Sequence, residues 1–192
     1  MASSFPLTLR PLFSALLALL LFALVSAPAR ADEAADRAAL DQLFLQLHEA
    51  PDEATASVLA GKIWSIWISP ADPDLALRMM DVMEARATRG IAQTIELLDA
   101  LIADYPAYAE GWNQRATMHY INGDYGASIA DCAKVLELEP RHFGALSGRA
   151  MMYLQLGQRG LALRDIRAAL ALHPYLAERA LFPELAAPLT RT

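Results

Sequence analysis

The chain has 192 residues with 16 basic and 22 acidic side chains, which gives a formal net charge of −6 at pH 7. An acidic chain without a basic run lacks the attraction to phosphate that supplies most non-specific affinity for nucleic acid, so we expect no nucleic acid partner. Cys132 is the single cysteine, which excludes an internal disulfide framework. It lies on an apolar helical face, where we expect a buried thiol.

The first 31 residues show the pattern of a secretory signal peptide. Residues 11–29 carry no charge, Arg10 precedes them, and Ala29, Arg30 and Ala31 have the small–x–small order of a cleavage site. We therefore expect cleavage after Ala31 and a mature chain that is periplasmic or secreted. The alternative is an uncleaved inner-membrane anchor, because the uncharged stretch approaches the roughly 20 residues that cross a bilayer.

Residues 32–70 are predicted to form an N-terminal helical hairpin. The first helix starts at Asp36 and ends before Pro51, and its apolar residues recur with helical spacing at Leu40, Leu43, Phe44 and Leu47. Asp52 and Glu53 place acidic charge at the start of the second helix, which we expect to end at Ile68. Its predicted buried side consists of Val58, Leu59, Ile63, Ile66 and Trp67.

Three further helical hairpins follow, each divided by a glycine turn. The first begins at Asp72, Pro73 and Asp74, which supply an N-cap, a first-turn proline and a first-turn acid. Its first helix runs to Thr88, and Gly90 separates it from a helix over residues 91–103. The remaining predicted elements are the hairpins Ala109–Leu138 and Phe143–Leu172, their turns at Gly123 and Gly157, and a short capping helix over Tyr175–Phe182.

Prolines and other residues recur at a nearly constant interval from residue 70 onwards. Four prolines, Pro70, Pro106, Pro140 and Pro174, are separated by steps of 36, 34 and 34 residues. Seven residues recur 34 positions later, namely Arg115, Ala116, Gly123, Asp131, Leu136, Leu138 and Pro140. A period of this size indicates supersecondary units that bury their apolar faces by stacking on neighbours. The pattern therefore predicts an all-α fold, a solenoid of αα-hairpins.

One of these units carries the residues of a known repeat family. Residues 107–140 contain, in order, Trp112, Ala116, Tyr120, Gly123, Asp124, Tyr125, Ile129, Leu136 and Pro140, and the unit resembles a tetratricopeptide repeat. Residues 141–174 resemble a second repeat and residues 71–106 a degenerate one. The resemblance implies a repeat protein of the exported bacterial type, with residues 32–70 as a cap or divergent repeat and residues 175–192 as a C-terminal cap and tail.

The resemblance also implies a concave groove, lined by the first helix of each repeat, that holds a protein or peptide partner. The implied groove positions are Met79, Met83, Arg86, Asn113, Thr117, Tyr120, Ser147, Met151 and Gln155. Methionine suits adaptable apolar recognition, although we expect Met80 or Met83 to belong to the core. Capture of a C-terminal carboxylate is not expected, because such a site needs fixed cationic donors. The expected function is a scaffold or assembly factor.

We expect no catalytic, cofactor-binding or metal-binding site. His48, His119, His142 and His173 have no partner at the i, i+4 spacing of a metal site, and the sequence contains no phosphate-binding glycine loop or nucleophile elbow. The alternative functions are a self-associating structural subunit, which would form homo-oligomers, and a membrane-anchored adaptor. Trp64 and Trp67 are compatible with an exposed anchor for a partner or with docking against the first repeat, which we favour.

Overall fold

The computed structural model describes residues 27–185; the signal-peptide prediction for residues 1–26 lies outside this range, as do residues 186–192. Helices account for all the regular structure in the described range, which contains no strand. Their bounds are α1 Ala27–His48, α2 Glu53–Ile68, α3 Pro73–Thr88, α4 Ile91–Asp104, α5 Ala109–Ile121, α6 Tyr125–Leu138, α7 Phe143–Gln155, α8 Arg159–Leu172 and a 3-10 helix Ala177–Leu181. The predicted all-α class is confirmed.

Helix α1 is longer than its predicted span. We predicted a start at Asp36, but the helix begins at Ala27 and continues through the predicted cleavage point after Ala31. Alanine, the strongest helix former, is frequent in its first half, and Pro28 lies in the first turn, where proline is tolerated. The chain divides within α1 into a unit ending at Ala38 and a unit beginning at Ala39. The packing described below belongs to the second unit.

The predicted helix starts and turns are present in the repeats. The side chain of Asp72 accepts hydrogen bonds from the backbone N–H groups of Asp74 and Leu75, both at 2.9 Å. Three inter-helix turns have φ values of 85°, 80° and 70°, at Gly90, Gly123 and Gly157. Glycine adopts these left-handed conformations without the steric cost that a Cβ would add.

The three repeat hairpins, α3–α4, α5–α6 and α7–α8, stack in chain order. In α5–α6 the guanidinium of Arg115 holds the nearly buried carboxylate of Asp131 in two hydrogen bonds of 2.7 and 2.8 Å. In α7–α8 the Nε of Arg149 donates to the buried Asp165 at 2.6 Å. The same ion pair therefore ties the two helices in each of these two repeats, which explains why both residues recur 34 positions apart.

Separate apolar clusters fill the spaces along the stack. The first-repeat cluster consists of Leu75, Met79, Val82, Leu98, Leu101, Ile102 and Met118. The last-repeat cluster consists of Leu146, Ala150, Ala162, Ile166, Ala169, Leu170 and Phe182. In the repeat between them the hydroxyl of Ser128 donates to the carbonyl of Ala116 at 2.6 Å, a contact that small residues permit. Burial of these clusters is the main stabilising contribution to the solenoid.

The N-terminal hairpin α1–α2 packs on the last repeat. Its cluster contains Leu40, Phe44, Leu47, Ala50, Ala56, Leu59, Ala60, Ile63, Trp67 and Phe143. Two long-range hydrogen bonds join the end of α1 and the connection after it to the last repeat and the C-terminal cap. The Nδ1 of His48 donates to the carbonyl of Ala171, and the hydroxyl of Tyr175 donates to the carbonyl of Pro51, both at 2.9 Å.

Two predictions for α2 need correction. Trp64 and Trp67 do dock on the repeats, but against α7 in the last repeat and not against the first repeat. The expected burial of Val58 is also wrong, since its side chain is 61% exposed. The buried stripe of α2 consists of Ala56, Leu59, Ala60, Ile63 and Trp67, and Val58 lies beside this stripe on the solvent side.

Candidate functional site: a cleft between α5 and α7

A cleft of about 290 Å³ lies between α5 and α7. Its walls are formed by Trp64, Asn113, Ala116, Thr117, Tyr120, Ser128, Cys132, Gly144, Ser147, Gly148, Met151, Met152 and Glu178. Helices α5 and α7 are the first helices of the two well-preserved repeats, and α6 closes the floor with Ser128 and Cys132. The cleft therefore occupies the place that the repeat resemblance assigned to the groove.

Five of the nine predicted groove residues line this cleft. Asn113, Thr117 and Tyr120 follow one another at i, i+4 and i+7 on α5, and Ser147 and Met151 are four residues apart on α7. Residues at these spacings share one helical face, so parallel placement of the two helices brings both sets to one opening. The structure thus brings these five residues together at one cleft, and their role in partner binding stays a prediction.

The other predicted groove residues lie elsewhere. Met79 is 1% exposed within the first-repeat cluster, so its assignment to an accessible groove is wrong. Met80 is 67% exposed and Met83 is half-buried, so the core methionine of α3 is Met79 instead of either of them. Arg86 donates to the side-chain oxygen of Gln114 at 2.8 Å. Arg86 and the exposed Gln155 lie outside the walls of the cleft, as does Met83.

The N-terminal hairpin covers the beginning of the groove. The indole of Trp67 stacks on the imidazole of His142, with ring centroids 4.1 Å apart and an interplanar angle of 10°. The hydroxyl of Tyr108 donates to the carbonyl of Trp67 at 2.6 Å. Arg141, next to His142, donates to Asp41 of α1 at 2.6 Å. The cleft is thus the part of the groove that this hairpin leaves open.

Gly144 permits the close approach of Trp64. A Cβ at this position would lie 2.7 and 2.8 Å from two atoms of the indole ring, closer than real Cβ atoms come to other atoms. Gly148, one turn later on α7, has no atom within 4 Å of an added Cβ. The absence of a side chain at Gly144 allows Trp64 to pack closely on α7, and its absence at Gly148 widens the cleft.

A buried polar cluster supports the covered end of the groove. The Glu110 carboxylate is 1% exposed and accepts hydrogen bonds from the side-chain amides of Asn113, at 3.2 Å, and Gln114, at 2.6 Å. The Nε2 of His142 lies 3.0 Å from the same carboxylate, and its Nδ1 accepts the backbone N–H of Ala145. With Nδ1 acting as acceptor, the Nε2 proton points to Glu110. These contacts satisfy a buried carboxylate and fix the orientation of Asn113 at the cleft wall.

The ionisable groups of the cleft wall have distinct environments. Burial raises the pKa of the Cys132 thiol to about 12, so the thiol is protonated and unreactive at neutral pH. Its predicted burial is confirmed by an exposure of 3%. Glu178, from the 3-10 helix, is the charged residue of the wall. The hydroxyl of Ser147 lies 3.3 Å from the carbonyl oxygen of Gly144 and 3.5 Å from the Glu178 carboxylate.

Sequence reasoning missed Trp64, Gly144, Gly148 and Glu178 as wall residues. The glycines at i and i+4 within a predicted helix were a usable signal, because glycine in a helix interior needs a packing or functional reason. Glu178 lies outside the periodic units, and the sequence carries no sign that the chain returns to the groove after Pro174.

Residues 27–185 contain neither a metal-binding cluster nor a membrane-spanning helix. No group of three or more His, Cys, Asp or Glu side chains has an arrangement suited to a metal ion in that range. None of the helices there combines the length and the apolar character that crossing a bilayer requires.

Comparison with known proteins identifies a relative in sequence and solved structures of the same fold. No family profile matches the sequence. A TPR repeat-containing protein from Rhizobium etli is 38% identical over 135 residues, which cover 70% of this chain and 66% of that protein, slightly under two thirds of its length.

The solved structures support the fold. The first TPR of Spaghetti (RPAP3), bound to the HSP90 peptide SRMEEVD, has a TM-score of 0.53 at 16% identity and covers 56% of this chain and 85% of its own. The second TPR of the same protein, bound to the same peptide, has a TM-score of 0.50 at 20% identity, with coverages of 53% and 94%. The stacked helical hairpins and the 34-residue period match these solved structures, and the Rhizobium relative is similar in sequence, so this chain has the fold of a tetratricopeptide repeat (TPR) solenoid.

Proposed function

We propose that this protein is an interaction scaffold or assembly factor that holds a peptide segment of a partner protein in the cleft between α5 and α7. The observation that carries the proposal is the cleft itself, walled by five residues from the first helices of two TPR units. Its volume of about 290 Å³ lies just below the roughly 300–1,000 Å³ typical of ligand pockets. It therefore suits one or two anchoring side chains of a peptide.

The chemistry of the wall favours an anchored peptide. Met151 and the exposed part of Trp64 supply adaptable apolar surface, and Asn113, Thr117 and Ser147 supply polar groups at the same opening. The two similar TPR structures hold a peptide, which supports the same use of this fold here. Because the N-terminal hairpin covers the beginning of the groove, we expect a shorter contact than a fully open groove would give.

Selection from a display library of random peptides tests the proposal. Gly148→Leu fills the cleft, and because no atom lies within 4 Å of an added Cβ, it does so without steric conflict near the backbone. Gly160→Leu is the matched control, since this helical glycine is exposed and equally unobstructed. We expect the wild type and Gly160→Leu to enrich the same peptides and Gly148→Leu to lose them. Equal enrichment by all three proteins, or none by the wild type, would overturn the proposal.

Export is part of the proposed function. The uncharged stretch over residues 11–29 and the small–x–small sequence ending at Ala31 support a periplasmic or secreted location for the mature protein. Intact mass spectrometry of the soluble and membrane fractions tests this. A mass that begins at Asp32 in the soluble fraction supports export with cleavage, and a full-length mass in the membrane fraction supports the anchored alternative.

Self-association is a second candidate, favoured by the outer face of α3. Leu77 and Met80 are 60% and 67% exposed and lie three residues apart on one face of the helix. The N-terminal hairpin packs on the last repeat and leaves this face open. Light scattering over a range of concentrations tests this candidate. A dimer formed through this face should dissociate in the double variant Leu77→Ser, Met80→Ser. A wild-type monomer at all concentrations would exclude self-association.

A further inference from the structure

The cleft combines a carboxylate with an indole, and we infer that it selects a peptide with a Lys or Arg side chain next to an apolar side chain. Glu178 and Trp64 come from opposite ends of the second unit and line the same opening. The inference rests on the proposed function, because it names the chemistry of the partner that occupies the proposed site.

The carboxylate of Glu178 has capacity for a cationic partner. It is half-buried, and the Ser147 hydroxyl, 3.5 Å away, lies closer to the carbonyl oxygen of Gly144, at 3.3 Å. Within residues 27–185, the ion pairs of the last repeat and the C-terminal turn involve Asp165 and Glu184 and leave Glu178 without a cation. The neighbouring Arg179 directs one guanidinium nitrogen to the carbonyl of Pro174 at 3.4 Å. A partly desolvated carboxylate gains more from an incoming cation than a fully exposed one does.

The rest of the wall gives an acidic peptide no compensating charge. The residues that line the cleft within the described chain include no Lys, Arg or His. Arg86, the nearest approach to a cationic groove residue in the sequence, is held by Gln114 outside the cleft. The whole chain carries a formal net charge of −6, which adds a long-range attraction for basic segments. Charge complementarity therefore favours a cationic peptide over an acidic one.

Trp64 and Met151 supply the surface that would contact the apolar side chain of the peptide. Trp64 packs its indole edge-on against Phe143, with ring centroids 5.6 Å apart, so the ring is held in a fixed orientation. A fixed indole offers a flat surface for an aliphatic chain and a π face for a cation. Met151, on α7, adapts to side chains of different shape. A Lys or Arg side chain uses both parts, since its stem is apolar and its head is charged.

Selection from the same random peptide library tests the inference with three variants. Glu178→Gln removes the carboxylate charge, Glu178→Arg reverses it, and Glu96→Gln removes one charge from an exposed site on α4 as a control for net charge. We expect Lys and Arg beside an apolar residue to be enriched by the wild type and by Glu96→Gln. The enrichment should disappear with Glu178→Gln and change to Asp and Glu with Glu178→Arg. For the best peptide, synthesised with its basic residue or with norleucine in that place, the basic form should bind the wild type about fivefold more tightly.

The outcomes separate this inference from the proposed function. If the wild type and Glu178→Gln select peptides with the same content of Lys and Arg, while Gly148→Leu still abolishes selection, the cleft binds peptides and the inference is overturned. If the wild type selects no peptide, both fail. If basic peptides bind only after removal of residues 186–192, which contain Arg191, the chain's own C-terminus is the occupant and the inference of a partner peptide is overturned.

Discussion

Two kinds of helical hairpin are joined in this protein. The hairpins α5–α6 and α7–α8 are built alike, each with an arginine on its first helix that holds a nearly buried aspartate on its second. The hairpin α1–α2 has no such repeated contact and is held on α7 by aromatic stacking and by Gly144. A repeated interface leaves the same residues at a fixed interval in the sequence, whereas an interface that occurs once leaves no interval to detect.

The largest expected effect on stability comes from disrupting the interface between α2 and α7. Trp67→Ala removes a side chain that is 8% exposed and stacks on His142, so we expect a loss of about 3 kcal/mol in the free energy of unfolding. Val58→Ala, on the exposed side of the same helix, should change it by less than about 0.5 kcal/mol. Urea unfolding of both variants measures the difference. Similar small losses in the two would contradict docking of α2 on α7.

The repeated interface should respond equally at its two copies. Asp131→Asn and Asp165→Asn each weaken a buried ion pair whose arginine is partly exposed, so we expect a loss of about 2 kcal/mol for each. Asp104→Asn, which weakens a solvent-exposed pair with Arg78, should cost much less than either. Chemical denaturation measures the three values. Losses at the two repeat positions no larger than that of the exposed pair would show that these contacts do not tie the hairpins.

Gly144 and Gly148 of α7 have different surroundings, so alanine substitutions at the two positions should have opposite effects on stability. Gly144→Ala places a Cβ against Trp64 and should destabilise the protein by about 1–2 kcal/mol, because the indole must move. Gly148→Ala meets no atom and should stabilise it by about 0.5–1 kcal/mol through helix propensity. Thermal unfolding of both variants gives the comparison. Stabilisation by both substitutions would mean that Trp64 does not lie against Gly144.

The smallest expected effect concerns the loop before α7. Burial works to raise the pKa of Glu139, but the guanidinium and backbone N–H of Arg141 outweigh it and hold the pKa below its ordinary value of 4.5. A carboxyl whose folded-state pKa is depressed stabilises the fold above its unfolded pKa and loses that contribution as the pH falls through the folded value. The stability difference between wild type and Glu139→Gln should therefore be constant near neutral pH and shrink below about pH 4.5. A difference that grows on acidification would contradict the assignment.

The periodic part of the fold could be predicted from the sequence because each feature has a local cause. Gly123 and Gly157 mark turns that need positive φ. The groove positions on α5 and α7 followed from the register of the two preserved repeats. The same register gave a wrong groove assignment in α3, because Met79 lies on the buried apolar stripe with Leu75 and Val82.

The docking position of the N-terminal hairpin could not be predicted in the same way. The apolar pattern of α2 shows that one face is buried but does not name the surface that covers it. Trp67 therefore fitted the first repeat as well as the last on sequence grounds. The hairpin is positioned by a long-range contact, in which Trp64 packs on Gly144, 80 positions later in the chain. Patterns within one helix do not reveal such a contact.

The most direct test of the account is a measurement of nuclear Overhauser effects from the indole protons of Trp64 and Trp67. We expect strong contacts from Trp67 to the imidazole of His142 and from Trp64 to the α-protons of Gly144, because the stacked rings lie 4.1 Å apart and Trp64 adjoins the glycine. Indole contacts to Leu75 and Val82 of α3 in their place would put the hairpin on the first repeat. That result would contradict the covered groove and the cleft derived from it.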